Sequence, residues 1–298
     1  MKKIFLTALI LLLPLTTSAK LKIVTTIPDL AELVRKVGGD AVEVKSLARG
    51  DQDPHYLEPK PSYTVLLNQA DLLIEVGLEL EIGWLPVLLT QSRNPKMQLG
   101  QPGHLIASDH LRILEIPTGP IDRSMGDVHP MGNPHYWMNP KNGLIIAKNI
   151  ADRLGRLDPT HATTYAENFK TWESSFSKRI TQWEKELASV RGRTVITHHK
   201  SFSYFVDWAD LKVEGLIEPK PGIPPTPSHI LYLIDLIKTE RIPLIITENY
   251  YDPKPARELS EKTGSKFLVL PTSVGGDSGV DSYEGLFQFL IEKMKGAL

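Results

Sequence analysis

The apolar and polar positions follow two alternating rhythms, short buried runs and amphipathic stretches of helical spacing. Leu21 to Ile27, Val42 to Leu47 and Ala70 to Val76 read as strands, while Asp29 to about Val37 and Trp84 to Thr90 read as helices. Gly50 to Pro61 is a polar turn with three prolines, and loop signals gather again from Pro117 to Pro140. At Asp158-Pro159 a longer pattern begins, with Asp a favoured helix cap and Pro a favoured first helical residue. Tyr165, Phe169, Trp172, Phe176, Ile180, Trp183, Leu187 and Val190 then recur at steps of three and four, one continuous apolar stripe. The aromatics are read as core. A helix of about 32 residues would run roughly 48 Å, longer than one small lobe requires, so it is expected to join two. Beyond it the first rhythm returns. Arg193 to Thr197, Pro243 to Thr247 and Lys266 to Leu270 read as strands. Ser228 to Lys238 (capped by Ser228), Asp252 to Thr263 (stopped by Gly264) and Asp281 to Lys295 read as helices.

Strands alternating with helices predict parallel sheets. The fold expected is α/β, two lobes each with a mostly parallel sheet, joined by one long backbone helix. The boundaries expected are a signal peptide over 1–19, an N-terminal lobe over 20–158, a connecting helix over 159–190 and a C-terminal lobe over 191–298.

The leader is a different polymer from the rest. Lys2 and Lys3 precede an apolar run from Ile4 to Leu15, and Thr17-Ser18-Ala19 offers a cleavage site of small residues. The run is short for a membrane span. Export with cleavage after Ala19 is expected, and the absence of Cys leads to a periplasmic protein that is not a lipoprotein. Charge balance is close, 34 Lys+Arg against 35 Asp+Glu, which gives no basis for a nucleic-acid binder. With no Cys, there is no disulfide framework, thiolate metal site or cysteine nucleophile. Chemistry falls to His, carboxylates, hydroxyls and backbone.

Three loops that follow predicted strands hold histidines: Asp53-Pro54-His55, Asn133-Pro134-His135-Tyr136-Trp137 and Thr197-His198-His199-Lys200. Carboxyl ends of parallel strands are where α/β sheets build sites. Two of the three follow proline, which fixes the backbone ahead of the imidazole. The spacings of 80 and 64 residues between His55, His135 and His199 match no local metal rule, so residue type alone leaves each open between ligand and solvated loop residue.

The ordered motifs go further. Gly50 to Pro59, Ala70 to Glu81, Pro134 to Pro140, the stripe from Asp158 to Val190, and His199 to Phe205 together resemble the zinc/manganese substrate-binding proteins of ABC transporters, the ZnuA/TroA-like family. The resemblance covers essentially the whole chain after the leader. It implies metal in the cleft between the lobes, with His55 and His135 as ligands from the first lobe and His199 from the second. It also implies a permease, and through it an ATPase, as partners, with the protein a monomer and not an enzyme.

Two departures stand out. Lys200 replaces the Asp that commonly follows the third histidine. Thr272 stands where the family usually carries an Asp as fourth ligand, so Glu248, Asp277 or a water would have to fill that place, with Glu248 entered as the tentative fourth ligand. Three imidazoles and one oxygen favour Zn(II) over Mn(II) as the transported ion. Proton competition then predicts release below about pH 6. His198 should face away from His199 by strand alternation, and His129 is either a transient ligand at the cleft mouth or a solvated loop residue. His104, His110, His161 and His229 are expected at the surface. A secreted zinc hydrolase, or a metal-dependent adhesin or metal buffer on the same fold, are the alternatives; no HExxH pairing or nucleophile elbow supports the hydrolase.

Overall fold

The computed structural model describes residues 19–120, 125–126 and 128–298. The expected signal peptide therefore lies outside the described residues, apart from Ala19. The first lobe runs β1 (Leu21–Thr25), α1 (Pro28–Gly38), β2 (Val42–Ser46), α2 (Pro61–Gln69), β3 (Leu72–Glu75), α3 (Leu85–Ser92), β4 (His104–Ile106) and α4 (Pro140–Leu157). Then comes α5 (Ala162–Glu186) with a single 3₁₀ turn at each end. The second lobe runs β5 (Thr194–Thr197), α6 (Ser203–Ala209), β6 (Lys212–Leu216), α7 (Pro227–Glu240), β7 (Leu244–Glu248), α8 (Lys254–Thr263), β8 (Lys266–Leu270) and α9 (Tyr283–Ala297).

The two sheets share one plan. Their orders are β2-β1-β3-β4 and β6-β5-β7-β8, and every pairing is parallel. In each, the chain steps outward from the first strand to one side and then returns to the other, opening a crevice at the carboxyl ends beside that strand. Strands covered on both faces read as continuous apolar runs, and β7 (LIITE) is buried throughout. The fold is two α/β lobes joined by one long backbone helix.

That helix buries Tyr165, Phe169, Trp172, Phe176, Ile180 and Trp183 along one side. Phe176 stacks on Trp172 with ring centroids 4.6 Å apart. The two indole N–H groups are satisfied across the interface, Trp172 donating to Glu284 (2.7 Å) and Trp183 to Gln288 (2.9 Å), both on α9. The largest apolar core is continuous from β1 and α1 through α5 to α9, so the lobes share one interior. Polar contacts add to it. Asp29 at the start of α1 accepts from Ser273 Oγ and the Val274 amide, Trp137 Nε1 donates to the Thr272 carbonyl (2.8 Å), and the Tyr283 hydroxyl donates to the Trp137 carbonyl (2.6 Å).

Local chemistry moves some expected boundaries. Thr226, two residues ahead of the expected Ser228, caps α7 by accepting from the His229 amide, with Pro227 at the first helical position. Gly264 closes α8 in the left-handed conformation, φ +80°. The stretch read as loop up to Pro140 ends where Asn139 caps α4 by accepting from the Lys141 amide.

Candidate metal centre

One local device is used twice. In Asp53-Pro54-His55, an Asp53 carboxylate oxygen accepts the His55 amide (3.0 Å) and lies 2.7 Å from His55 Nδ1. In Asn133-Pro134-His135, Asn133 Oδ1 accepts the His135 amide (2.9 Å) and lies 2.9 Å from His135 Nδ1. The Asx oxygen folds the tripeptide into a turn and holds the imidazole by one nitrogen. Trp84 Nε1 ties the first turn down by donating to the Pro54 carbonyl, 2.9 Å. For His199, just past β5, the same service comes from a distance: Glu218 Oε2, beyond β6, lies 2.7 Å from Nδ1.

With each Nδ1 occupied by an oxygen, Nε2 is left as the free donor atom. The ligand atoms of His55, His135 and His199 all lie within 4.8 Å of one another. The three ring centroids are separated by 5.1, 5.4 and 5.5 Å, nearly an equilateral triangle. Nε2 of His55 and of His135 is buried without a hydrogen-bond partner among the described residues. Burial first, and then the charges of the neighbouring histidines, hold His135 well below the usual imidazole range, so it stays neutral and able to bind a cation at neutral pH. Asp53 stays below its ordinary value: burial pushes it up, but its hydrogen bond to His55 and the His55 charge outweigh that.

Lys200, the charge-reversing departure, turns outward to Glu115 on the other lobe (Nζ–Oε2 3.0 Å). Asn133 spans the cleft beside it, donating from Nδ2 to the Lys200 carbonyl at 2.9 Å while its other atom holds His135. The first-lobe turn and the second-lobe ligand segment are thus fastened to each other.

Glu248, expected as the fourth ligand, is not brought into the cluster. Its carboxyl is wholly buried beside the Ser201 hydroxyl and its own backbone amide, and burial raises its pKa to about 8, so it sits there as a neutral acid. Asp277 is exposed and bonds only within its own loop. Thr272 is buried, its hydroxyl and that of Ser201 in contact with the Tyr250 hydroxyl, so the usual Asp position is filled by a hydroxyl network. His198 does face elsewhere: Nδ1 is 3.0 Å from Thr247 Oγ1 and the ring stacks on Tyr251. His104 corrects its expected surface placement. It is buried on the short strand β4, with Nε2 3.4 Å from Glu75, because an edge strand here is covered by α4. His161 pairs with Asp158, and His229 with the Leu216 carbonyl, both remote from the cluster.

The residues that aim the imidazoles were missed. Asp53 and Asn133 carried a readable signal, an Asx two residues before a histidine across a proline. Glu218, 19 residues beyond His199, carried none.

A family model described as "Zinc-uptake complex component A periplasmic" matches residues 23–297. The manganese ABC transporter substrate-binding lipoprotein PsaA of Streptococcus pneumoniae is 26% identical over 292 residues, covering 95% of this chain and 90% of that one. The iron-binding protein YfeA of Yersinia pestis is 26% identical over 287 residues, covering 94% and 86%. A crystal structure of ZnuA superposes with a TM-score of 0.79 at 23% identity, covering 93% and 99%, a likeness of fold. The lipoprotein designation of PsaA, shared by further streptococcal relatives, overturns the expected localisation as a periplasmic protein that is not a lipoprotein. That expectation came from the cysteine count and the leader pattern alone.

Proposed function

The chain belongs to the family of the zinc-uptake complex component A, and on that premise we propose that it captures Zn(II) and hands it to an ABC permease and, through it, the ATPase. As a member it is a metal-binding substrate-binding component and not an enzyme. In this reading His55, His135 and His199 hold the ion through Nε2. The lobes act as units of residues 20–158 and 191–298 about the helix of 159–190. One chain supplies all three ligands, so a monomer suffices.

The observation that carries the reading is the convergence of three imidazoles, each pinned at Nδ1 by an oxygen acceptor. Oxygen-bonded Nδ1 atoms raise the basicity of the opposite nitrogen and fix its direction, the usual arrangement behind metal-ligating histidines. A nitrogen-rich set favours zinc, whereas manganese prefers harder carboxylate oxygens. Relatives named for manganese and iron make metal choice the point to test.

Metal-stripped protein offered equimolar zinc and manganese should retain one zinc by native mass spectrometry with elemental analysis. His55→Ala and His199→Ala should each lose it. Retention of manganese instead, or of zinc in both variants, would sink the assignment.

A further inference from the structure

We infer that His129 is a fourth imidazole ligand, so that the site is an all-histidine, four-nitrogen site rather than three histidines and an oxygen. The inference rests on the three-histidine reading above. Among the described residues His129 Nε2 is buried without a hydrogen-bond partner, as are Nε2 of His55 and of His135. Its ring centroid lies 5.3 Å from that of His55, within the range separating the three cluster rings from one another. Val128, His129, Asn133, His135 and His199 line one small cavity, so the ring shares a space with two of the cluster histidines. His129 stands outside the group whose ligand atoms all lie within 4.8 Å of one another, so its ring must move towards them to complete the shell.

The ring is also held from behind, as the other three are. It hydrogen-bonds to the backbone of Leu78. Leu78 lies in a turn in which three consecutive residues, Gly77, Leu78 and Glu79, have φ of +77°, +55° and +66°. Left-handed geometry at a leucine costs on the order of 1 kcal/mol, and here the turn is imposed by Glu81, whose carboxyl accepts the Val76 and Gly77 amides at 2.8 and 3.0 Å. The strained turn therefore presents a backbone acceptor to the imidazole, which leaves Nε2 as the free nitrogen.

The other candidates agree. Thr272 and Asp277 are engaged elsewhere and Glu248 is held beside Ser201, so among the described residues no carboxylate enters the cluster. None is needed for charge. Asp53 and Glu218, bonded to the far sides of two ligands, bring two negative charges beside a dication, and four neutral imidazoles keep the sum near zero. A four-nitrogen shell selects zinc and neighbouring nitrogen-preferring ions and disfavours manganese.

Zinc-edge X-ray absorption on the full chain loaded with one zinc should fit four imidazoles with Zn–N near 2.0–2.1 Å. His129→Ala should fit three imidazoles and one oxygen, with the zinc dissociation constant raised on the order of ten- to a hundredfold. A His129→Gln variant and far-ultraviolet circular dichroism of both metal-free variants check that the fold is retained. The wild-type spectrum tests the inference without any variant. Three imidazoles and an oxygen in the wild type, with affinity unchanged in His129→Ala, would overturn it while leaving the three-histidine reading standing. Zinc retained by His55→Ala and His199→Ala would overturn both.

Discussion

At the scale of single residues, the centre depends on which nitrogen of each imidazole is committed. An Asx oxygen two positions ahead of His55 and of His135 fixes both the turn and the ring, so direction is set before metal arrives. Little ordering entropy then remains to be lost on binding. Removing the acceptor while keeping the ligand should therefore weaken binding without abolishing it. Glu218→Ala is expected to raise the zinc dissociation constant about ten- to a hundredfold, with Glu218→Gln in between because an oxygen acceptor remains. Calorimetric titration checks this, and equal affinities in all three proteins would remove Glu218 from the site. Burial keeps His135 neutral to a lower pH than a free imidazole, so its competition with protons sets in below the pH 6 expected from ordinary histidine. The three clustered histidines were legible as candidates because each sits in a proline-bounded or strand-end loop. Glu218 was not, since no local pattern announces a partner supplied from beyond the neighbouring strand.

Among the elements, α5 was the most legible because its stripe repeats at three and four for its whole length, and no competing period is present. Its start was less so: Asp158-Pro159 opens a 3₁₀ turn, and the α-helix proper begins at Ala162. The elements the pattern left out are β4 and β6 and the helices α2, α4 and α6. β4 has three residues, and β6 (KVEGL) carries two charges and a glycine at a sheet edge. α4 was hidden because its cap, Asn139-Pro140, closes a run dense in prolines. The aromatic stripe predicts a clean separation of stability from binding. Phe176 is fully buried against Trp172, Trp183 and Tyr283, and none of the three histidines is among its ring contacts. Phe176→Ala should cost about 3–5 kcal/mol in denaturant unfolding through the cavity it leaves. Zinc stoichiometry in the folded fraction should stay at one; a loss of stoichiometry would mean that the helix also positions the ligands.

For the whole molecule, the interface between the lobes forms a stiff frame around the three histidines. Gly50 packs so closely on the Val274–Gly276 loop of the other lobe that an added Cβ would fall on the Val274 carbonyl and the Gly276 amide. Gly50→Ala should therefore destabilise by about 1–3 kcal/mol and weaken zinc binding, because backbone atoms must part. Wild-type affinity with wild-type melting would show that this contact does not govern the cleft. Protonation acts at the same scale. Burial raises Asp29 to about 7 and Glu248 to about 8, and burial together with the Glu75 charge raises Glu81 as well. The folded chain thus binds more protons than the unfolded one between the ordinary carboxyl range and about pH 8, and the stability these groups give is lost as pH rises through that window. His198, His129 and His135 work in the opposite sense. Burial lowers each of them, the first two to about 4, so their contribution is lost as pH falls through 6.5 towards 4. From pH 6.5 to 8 the carboxyls outweigh the histidines, which are at most half protonated in the unfolded chain there, and the metal-free protein should lose on the order of 2 kcal/mol. Zinc pulls the other way, since deprotonated imidazoles bind it better and its mass-action stabilisation grows with pH. Differential scanning calorimetry at pH 6.5, 7.2 and 8.0, with chelator and with zinc, should show the two melting temperatures diverging. A metal-free melting temperature that stays level or climbs across that range would mean the buried carboxyls are already ionised in the fold.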